Sequence, residues 1–374
     1  MFRLPDPRIA HPFRPNHIPI AATELLCPRC ALLHIPVLPV PCNASPSPLC
    51  LATHPRPPCA LQRIPRPSCA VLRVPVPPVP CCAFFSPVFP PSLSRFPVVA
   101  FVGDSFSRNV QQAIACELGV DDHVEPWSGW LGGTLVSGLA VPRYNLKLVA
   151  VVAPYLVRYS NQDWAFRQYG LRPGDGSRYV VWLDHMDDQW AAVLQHVDLA
   201  VFMSGHWFLD KQGAEAVRST VYVANNRVVR LSGMSAYRAA IRSVKRFVTV
   251  EQRYRGVPMW LTYSPSHYSR GNPPTCRHTT PISTKRVQTM VARDISTAFR
   301  RLEVRELKKS PFRIIDITRI SLFRPDAHVK RFYGAKTNSK TKWDCTHWCL
   351  PGLPDVWADI FQFVLKTQLR RHKK

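Results

Sequence analysis

Three residues in the chain have the types that a serine-dependent acyl transfer requires. Ser105 follows an apolar run and a glycine, Gly103. Asp344 and His347 are three residues apart near the other end of the chain. A serine hydroxyl is a weak nucleophile until a histidine, oriented by a carboxylate, takes its proton. We therefore predict a catalytic triad of Ser105, His347 and Asp344.

The elements around Ser105 must place it after a strand and before a helix. Residues 98–102 are apolar and predict a buried strand, and residues 107–118 have apolar side chains on one helical face. Gly103 permits close approach of the chain at the turn, and free N–H groups at the helix start would stabilise an oxyanion. Further strands are predicted at residues 179–183, 199–203, 259–263 and 312–317, and helices at residues 235–247 and from Pro354 onward. This alternation predicts an α/β domain.

The composition divides the chain near residue 97. Of the 37 prolines 23 precede that residue, as do 8 of the 12 cysteines. Proline at this density removes backbone donors and blocks helices. We expect residues 1–96 to be a Pro/Cys-rich low-complexity segment, disordered or the product of a faulty gene prediction, and residues 97–374 to form the catalytic domain.

The net charge and the cysteine spacing do not by themselves identify a partner of the protein. The net charge of +25 would attract nucleic acid, anionic lipid or an acidic polymer. Arg238, Arg242 and Arg246 form a basic stripe on a predicted helix, which we interpret as a solvated face. No nucleic-acid module is recognised, so no nucleic acid is expected as a partner. Cys27 and Cys30 have the spacing of half a zinc site, but nothing completes it, and no metal is expected.

Two longer motifs carry a resemblance to a known family. Residues 103–109, Gly-Asp-Ser-Phe-Ser-Arg-Asn, and residues 344–352, Asp-Cys-Thr-His-Trp-Cys-Leu-Pro-Gly, resemble the paired motifs of the plant trichome birefringence-like family. Residues 204–208, 262–267 and 322–326 follow the family's order between them. The resemblance covers residues 97–367.

This resemblance implies a polysaccharide O-acetyltransferase on a flavodoxin-like (SGNH/GDSL-like) α/β fold, a parallel sheet with flanking helices. Ser105 would accept the acetyl group, His347 would act as base, and Asp344 would orient it. No bound cofactor is expected, but an acetyl donor is required, and a cell-wall polysaccharide such as xylan is the acceptor. The family also implies a lumenal Golgi location and membrane association, although no anchor or signal segment is visible in the sequence.

The family motifs indicate further site residues. The candidates for binding the oxyanion or the substrate are Gly103, Asp104, Arg108, Asn109, Gly205 and His206. The family's disulfides suggest that Cys276 pairs with Cys345, which would pin the loop of the triad. Many relatives have asparagine where this chain has Met203. Because methionine donates no hydrogen bond, we expect either that backbone N–H groups suffice for the oxyanion or that activity is reduced.

Other functions stay open from the sequence. An esterase would use the same residues with water as acceptor. A non-catalytic glycan-binding protein is suggested by Met203 and by the unusual residues 1–96. Trp343, Trp348 and Trp357 either pack in the core or stack on sugar rings, with packing favoured.

Overall fold

The computed structural model describes residues 97–118, 124–172, 177–209, 219–269, 275–276, 278–291, 294–332 and 342–371. The segment predicted at residues 1–96 lies outside this range. Within it, no helix is both long enough and apolar enough to span a bilayer.

The described residues form three sheets with helices around them. The strands are β1 (Val98–Gly103), β2 (Glu125–Leu131), β3 (Thr134–Val141), β4 (Leu146–Val152), β5 (Val157–Ser160), β6 (Ser177–Met186), β7 (Leu199–Met203), β8 (Ser219–Ala224), β9 (Arg227–Val229), β10 (Val257–Leu261), β11 (Arg313–Ile315), β12 (His328–Phe332) and β13 (Lys342–Trp348). The α-helices are α1 (Ser105–Leu118), α2 (Asp163–Arg167), α3 (Asp188–Val193), α4 (Gly233–Arg246), α5 (Thr284–Val291), α6 (Ile295–Leu307), α7 (Thr318–Leu322) and α8 (Leu353–Arg371).

The largest sheet has the strand order β11-β10-β7-β1-β4-β3-β2. The strands β11, β10, β7, β1 and β4 are parallel to their neighbours, whereas β3 and β2 add an antiparallel hairpin at one edge. A second sheet has the order β5-β6-β8-β9, and β12 pairs with β13 as an antiparallel hairpin. Parallel strands are connected through crossovers and are buried on both faces.

Helices cover both faces of the large sheet. On one face, Phe101 packs with Val110 and Ile114 of α1 and with Phe361 of α8 in a buried cluster. On the other face, the core continues through Phe202, Trp260, Tyr237, Ile241 and Phe299, which brings α4 and α6 against the sheet. The sheet thus holds β1 rigidly between two cores, and its carboxyl end delivers Ser105 to the surface.

The predicted α/β architecture with flanking helices is confirmed. The sheet is mixed rather than wholly parallel, because residues 125–141 form an antiparallel hairpin that the sequence analysis did not predict. Residues 179–183 form a strand as predicted, but that strand belongs to the smaller sheet. The helix after β1 begins at Ser105, two residues earlier than predicted.

Candidate active site

The turn between β1 and α1 is shaped by a close approach to β7. Gly103 has a φ of 147°, and a Cβ added there would lie 1.7 Å from the carbonyl oxygen of Met203. The N–H of Asp104 donates to that same oxygen at 3.2 Å. Only glycine tolerates both the conformation and the contact. Gly103 therefore sets the turn that leaves Ser105 exposed at the helix start.

Asp104 stabilises this turn from inside the protein. Its Oδ1 accepts the N–H of Phe106 at 3.1 Å, and its carbonyl oxygen accepts the hydroxyl of Ser107 at 2.7 Å. The residue is 2% exposed. A side chain so enclosed holds the turn and cannot contact a substrate.

The hairpin of β12 and β13 presents the other two triad residues. Between His328 and Lys330 the pairing register shifts, so that Asp344 to Trp348 bulge out of the regular ladder. Such a bulge re-aims side chains away from the sheet. The Nε2 of His347 lies 2.7 Å from Ser105 Oγ, and its Nδ1 lies 2.8 Å from Asp344 Oδ2. The three predicted residues thus form one hydrogen-bonded row.

Asp344 is fixed by the chain around it as well as by the imidazole. Its Oδ1 accepts the N–H groups of Thr346 at 3.0 Å and His347 at 2.9 Å. Burial works to raise the pKa of Asp344, but the hydrogen bond and charge of His347 outweigh burial and, together with these N–H groups, hold the pKa below its usual range. The carboxylate is therefore ionised at neutral pH.

The charge of Asp344 controls the protonation of His347. Burial works to lower the pKa of His347, but the hydrogen bond and charge of Asp344, with a further contribution from Asp104, raise the pKa above its usual 6.5. Because Asp344 accepts the proton on Nδ1, the neutral ring presents the lone pair of Nε2 to Ser105. This is the protonation state that a general base requires.

A disulfide joins Cys276 to Cys345, the pair that the family resemblance implied. Both cysteines are fully buried. Because Cys345 lies between Asp344 and His347, the crosslink anchors the segment that carries both residues. The N–H of His267 donates to the carbonyl oxygen of Cys345 at 2.9 Å and adds a second anchor.

Two further histidines, His267 and His328, lie behind the triad. His267 falls in the family-matched residues 262–267, whereas nothing in the sequence pointed to His328. His328 Nδ1 is 2.9 Å from the carbonyl oxygen of His347 and must donate to it, while His328 Nε2 accepts from His267 Nδ1 at 2.7 Å. Burial lowers the pKa of His267 to about 4 and that of His328 to about 3. Both rings are therefore neutral at pH 7, and they hold the backbone of His347.

His206 lies behind Ser105 rather than in front of it. Its ring is stacked between Phe106 and Tyr263, with centroid distances of 4.2 Å to each. Its Nε2 donates to the carbonyl oxygen of Ser264 at 2.8 Å, and its Nδ1 lies 3.4 Å from Asp104 Oδ2. Gly205 permits this stack, since a Cβ there would approach the Tyr263 ring to 2.6 Å. Both residues organise the turn from within.

The ring of Phe106 contacts both the His206 ring and the ring of the catalytic candidate His347. It stacks on the His206 ring at a centroid distance of 4.2 Å and on the His347 ring at 5.3 Å. Trp348 is fully buried and donates through Nε1 to Ser264 Oγ at 2.8 Å. Trp357 is also fully buried. Packing is therefore the role of these two tryptophans.

A buried carboxyl supports the same region from below. Glu303 is fully buried, with Oε1 2.6 Å from the Tyr237 hydroxyl and Oε2 accepting the N–H of Tyr263 at 2.9 Å. The Tyr237 hydroxyl is also 2.8 Å from the carbonyl oxygen of Ser204. A hydroxyl carries one proton, so both contacts are hydrogen bonds only when Glu303 is protonated and donates to Tyr237. Burial raises the pKa of Glu303 to about 7, against the hydrogen bonds that the Tyr237 hydroxyl and the Tyr263 N–H donate to the ionised form.

The remaining candidates have different surroundings. Arg108 is half-buried on the first turn of α1, beside a groove. Asn109 is 6% exposed, and its Oδ1 has no hydrogen-bond partner within the described ranges. The side chain of Met203 is 1% exposed and packs in the core beneath α1.

In the part of the chain that the structure describes, no group of three or more His, Cys, Asp or Glu side chains is arranged to hold a metal ion.

A family model matches most of this domain. Residues 93–364 match the PC-Esterase family, described as a GDSL/SGNH-like acyl-esterase family found in Pmr5 and Cas1p. The match contains both the strand-to-helix turn of Ser105 and the hairpin that carries Asp344 and His347.

Several curated plant proteins are similar to the chain. Protein trichome birefringence-like 24 of Arabidopsis thaliana is 25% identical over 299 residues, which cover 72% of this chain and 65% of that protein. Protein trichome birefringence-like 20 of the same plant is 28% identical over 317 residues, or 77% and 62% of the two chains. Xyloglucan O-acetyltransferase 4 of Populus trichocarpa is 28% identical over 290 residues, or 73% and 66%. The chain therefore spans just under two thirds of the length of these relatives.

Proposed function

Because the chain belongs to the PC-esterase family of GDSL/SGNH-like acyl-esterases, we propose that it is an O-acetyltransferase acting on a plant cell-wall polysaccharide. The observation that carries this proposal is the hydrogen-bonded row of Ser105, His347 and Asp344 at an exposed helix start. Xylan was the acceptor implied by the family resemblance, and one relative is named a xyloglucan O-acetyltransferase. Oligosaccharides of both polysaccharides are therefore the acceptors to test first.

The first step of the proposed reaction acylates the protein. Ser105 Oγ attacks the carbonyl carbon of the acetyl donor, and its proton moves to Nε2 of His347, 2.7 Å away. The donor's leaving group then takes that proton and departs. Asp344 keeps the second imidazole proton on Nδ1 and stabilises the imidazolium that forms between these events.

The oxyanion of this step would develop at the start of α1. The N–H groups of Phe106 and Ser107 already donate to Asp104, and that of Asp104 donates to Met203. The N–H of Ser105 donates to no other residue in the described ranges, so it is the first donor that we assign to the oxyanion. The positive end of the helix dipole adds to its effect.

The second step transfers the acetyl group to the acceptor. A sugar hydroxyl gives its proton to His347 and attacks the ester carbonyl, after which Ser105 leaves and regains a proton from His347. Water in place of the sugar would make the protein an acetyl esterase, which the family's description as acyl-esterases favours as the second candidate. The two functions differ only in the acceptor.

Location and membrane association belong to the same proposal. We place the protein in the Golgi lumen, where an oxidising environment permits disulfides. The crosslink of Cys276 and Cys345 within the triad's hairpin supports an oxidising compartment. Reducing this disulfide in the folded protein and measuring acetyl transfer before and after would show whether activity depends on an oxidising compartment.

The proposal is tested by intact-mass analysis of the full chain after incubation with an activated acetyl ester. An acyl-enzyme adds one acetyl group, about 42 Da. We expect this adduct in the wild type, mapped to Ser105 by peptide analysis, and not in Ser105→Ala. Adding xylan or xyloglucan oligosaccharides should then discharge the adduct and yield an acetylated sugar.

Each alternative has its own outcome in this experiment. Discharge that yields acetate alone, with every oligosaccharide, would assign the esterase function. A folded wild-type protein that forms no adduct but binds the oligosaccharides would assign the non-catalytic glycan-binding function, which Met203 and the unusual residues 1–96 suggest.

A further inference from the structure

His206 and Asp104 are a pair of ionisable side chains directly behind the turn of Ser105. The Nδ1 atom of His206 lies 3.4 Å from Asp104 Oδ2, and the two side chains are 11% and 0% exposed. Asp104 precedes the nucleophile by one residue in the chain. The charge on this pair therefore acts on any negative charge that develops at Ser105.

The hydrogen bonds of the His206 ring fix the positions of its protons. The Nε2 atom lies 2.8 Å from the carbonyl oxygen of Ser264, which can only accept, so Nε2 carries a proton. The Nδ1 atom faces Asp104 Oδ2, and without a proton between these atoms two lone pairs would oppose each other. Imidazole is a stronger base than a carboxylate, so this second proton belongs to Nδ1. The ring is therefore an imidazolium, and Asp104 is a carboxylate.

The two aromatic neighbours of the His206 ring also suit a cation. The ring lies between Phe106 and Tyr263, with centroid distances of 4.2 Å to each and interplanar angles of 25° and 18°. The face of an aromatic ring is partly negative and attracts a cation that lies within about 6 Å of its centre. Burial of a lone cation is costly, but this one has an acceptor at each nitrogen and two aromatic rings stacked on it.

The other titratable groups behind Ser105 leave Asp104 as the charged partner of His206. Burial raises the pKa of Tyr263 and that of Tyr237 on α4 well above the ordinary value, so both side chains are neutral phenols. Glu303 on α6 uses Oε2 to accept the N–H of Tyr263. These groups therefore surround the ion pair without taking part in it.

An uncompensated carboxylate at Asp104 would oppose the proposed attack by Ser105. The attack places negative charge on an oxyanion, for which we assigned the N–H of Ser105 as donor. The Asp104 side chain is fully buried, where charges are weakly screened, so its carboxylate would repel that oxyanion. The positive charge that His347 gains has its own carboxylate in Asp344. The imidazolium of His206 is therefore the group that offsets the charge of Asp104.

We propose that His206 is a positioning residue of the acyl transfer, held as an imidazolium that pairs with Asp104 and offsets its charge behind Ser105. The proposal rests on the proposed function, because it assigns a role in the acylation of Ser105 to a residue outside the triad. His206 acts through Asp104 and is placed away from both the donor and the acceptor.

The charge of His206 is measured first, and independently of activity, by nitrogen NMR of the full chain labelled in histidine. An imidazolium has two protonated ring nitrogens with similar shifts, whereas a neutral ring has one bare nitrogen with a very different shift. His206→Gln identifies the resonances by their loss. We expect both nitrogens of His206 to be protonated at pH 7, and a bare nitrogen there would overturn the proposal.

Asp104→Asn tests whether the carboxylate is what keeps the His206 ring charged. The asparagine amide can donate to Nδ1, so a neutral ring would then satisfy both of its contacts. We expect one nitrogen of His206 to lose its proton at pH 7 in this variant. A ring that stays fully protonated in Asp104→Asn would show that another group holds the charge, which would also overturn the proposal.

The second measurement is the single-turnover acylation rate of Ser105 at pH 7. His206→Gln keeps a donor for the Ser264 carbonyl but carries no charge, so we expect the rate to fall about ten-fold as the Asp104 charge acts on the oxyanion. Adding Asp104→Asn removes that charge and should restore part of the rate. A double variant no faster than His206→Gln would overturn the charge role, since a purely structural contact is not restored by a second substitution.

His185→Gln is the matched control for the rate. His185 Nδ1 lies 2.9 Å from Asp184 Oδ1, so it is also a histidine beside an aspartate, but both side chains are far more exposed. This variant should keep the acylation rate within about two-fold of the wild type. A ten-fold loss in His185→Gln would contradict the proposal, because the loss would then not be specific to the pair behind Ser105.

The two measurements separate this inference from the proposed function. If the adduct forms on Ser105 but His206 has a bare nitrogen at pH 7, the transferase proposal stands and this inference is wrong. If the wild type forms no adduct, the acyl-transfer proposal fails together with the role of His206 in it. The nitrogen shifts would then still establish whether His206 and Asp104 are an ion pair.

Discussion

The interior behind Ser105 and the groove in front of it are built in opposite ways. Behind Ser105, the polar groups of Asp104, His206 and His328 are bonded within the protein, and a disulfide crosslinks the hairpin of the triad. In the groove, Arg108 lies half-buried without a charged partner among the described residues. Polar groups that hydrogen-bond to one another within the protein fix the positions of the triad residues. Polar groups that have no partner in the protein are available to bind a ligand.

The largest effect that this comparison predicts comes from Asp344→Asn. The asparagine amide would donate to His347 Nδ1 and place the ring's proton on Nε2, toward Ser105, where it cannot act as base. We expect the acylation rate to fall about 10⁴-fold, as in other Ser-His-Asp sites. Stopped-flow acylation with an activated ester measures this rate, and an unchanged thermal midpoint would show that the fold is intact. A loss of less than ten-fold would remove Asp344 from the triad.

Removal of the Cys276–Cys345 disulfide should have the second-largest effect, on the free energy of unfolding. Replacing Cys276 and Cys345 together by alanine opens a loop of 69 residues. Loops of this length lose about 2 to 4 kcal/mol of unfolding free energy when their disulfide is removed. Urea denaturation of the double variant, beside the wild type with and without reductant, measures it. Equal stability of all three samples would show that the crosslink does not anchor the hairpin.

The titration of Glu303 should make the free energy of unfolding fall as the pH rises. Its pKa is raised from 4.5 to about 7 in the folded protein. Between these values the unfolded chain loses a proton that the folded protein keeps, so stability falls as pH rises from 4.5 to about 7 and then levels. Glu303→Gln keeps the donor to Tyr237 and removes the titration.

The variant should equal the wild type near pH 4 and be more stable above pH 7, by on the order of 3 kcal/mol, since each pKa unit is worth about 1.4 kcal/mol. Denaturation of both proteins over this pH range measures the difference. Parallel stability curves would show that Glu303 is ionised in the folded protein throughout.

The basic stripe on α4 should show the smallest effect. Arg238 is 43% exposed and shares Glu306 with Arg242. The Glu306 side chain is only 8% exposed, but it keeps Arg242 when the partly exposed Arg238 is replaced, and one such surface arginine contributes about 0 to 1 kcal/mol. Arg238→Gln should therefore change stability by less than about 1 kcal/mol and leave glycan binding unaltered. A large loss of binding would place the acceptor site on this helix face.

Local sequence predicted the parts of the site that depend on short stretches of chain. The strand before Ser105 and the helix after it follow from apolar periodicity, and the spacing of Asp344 and His347 suggested their hydrogen bond. The stripe of Arg238 and Arg242 was also correctly placed on a helix, but its pairing with Glu306 depends on a contact between α4 and α6.

Other features could not be predicted because they depend on distant contacts or weak patterns. Residues 125–141 contain several glycines and exposed side chains, so their hairpin has little alternation to recognise. His328 is 19 residues from His347, and Glu303 is 66 residues from Tyr237. A buried histidine or glutamate in sequence gives no sign of its partner until the fold brings the two together.

The most direct test of the account is the pH dependence of the acylation of Ser105. Because His347 must be neutral to take the serine proton, and because Asp344 raises the pKa of His347 above 6.5, the rate should rise with pH through a midpoint above 6.5. Single-turnover acylation of the wild type and of Ser105→Ala, followed by mass across neutral pH, measures it. A rising profile in the wild type alone is the predicted result. An acylation rate that does not change with pH, or that persists in Ser105→Ala, would contradict the triad.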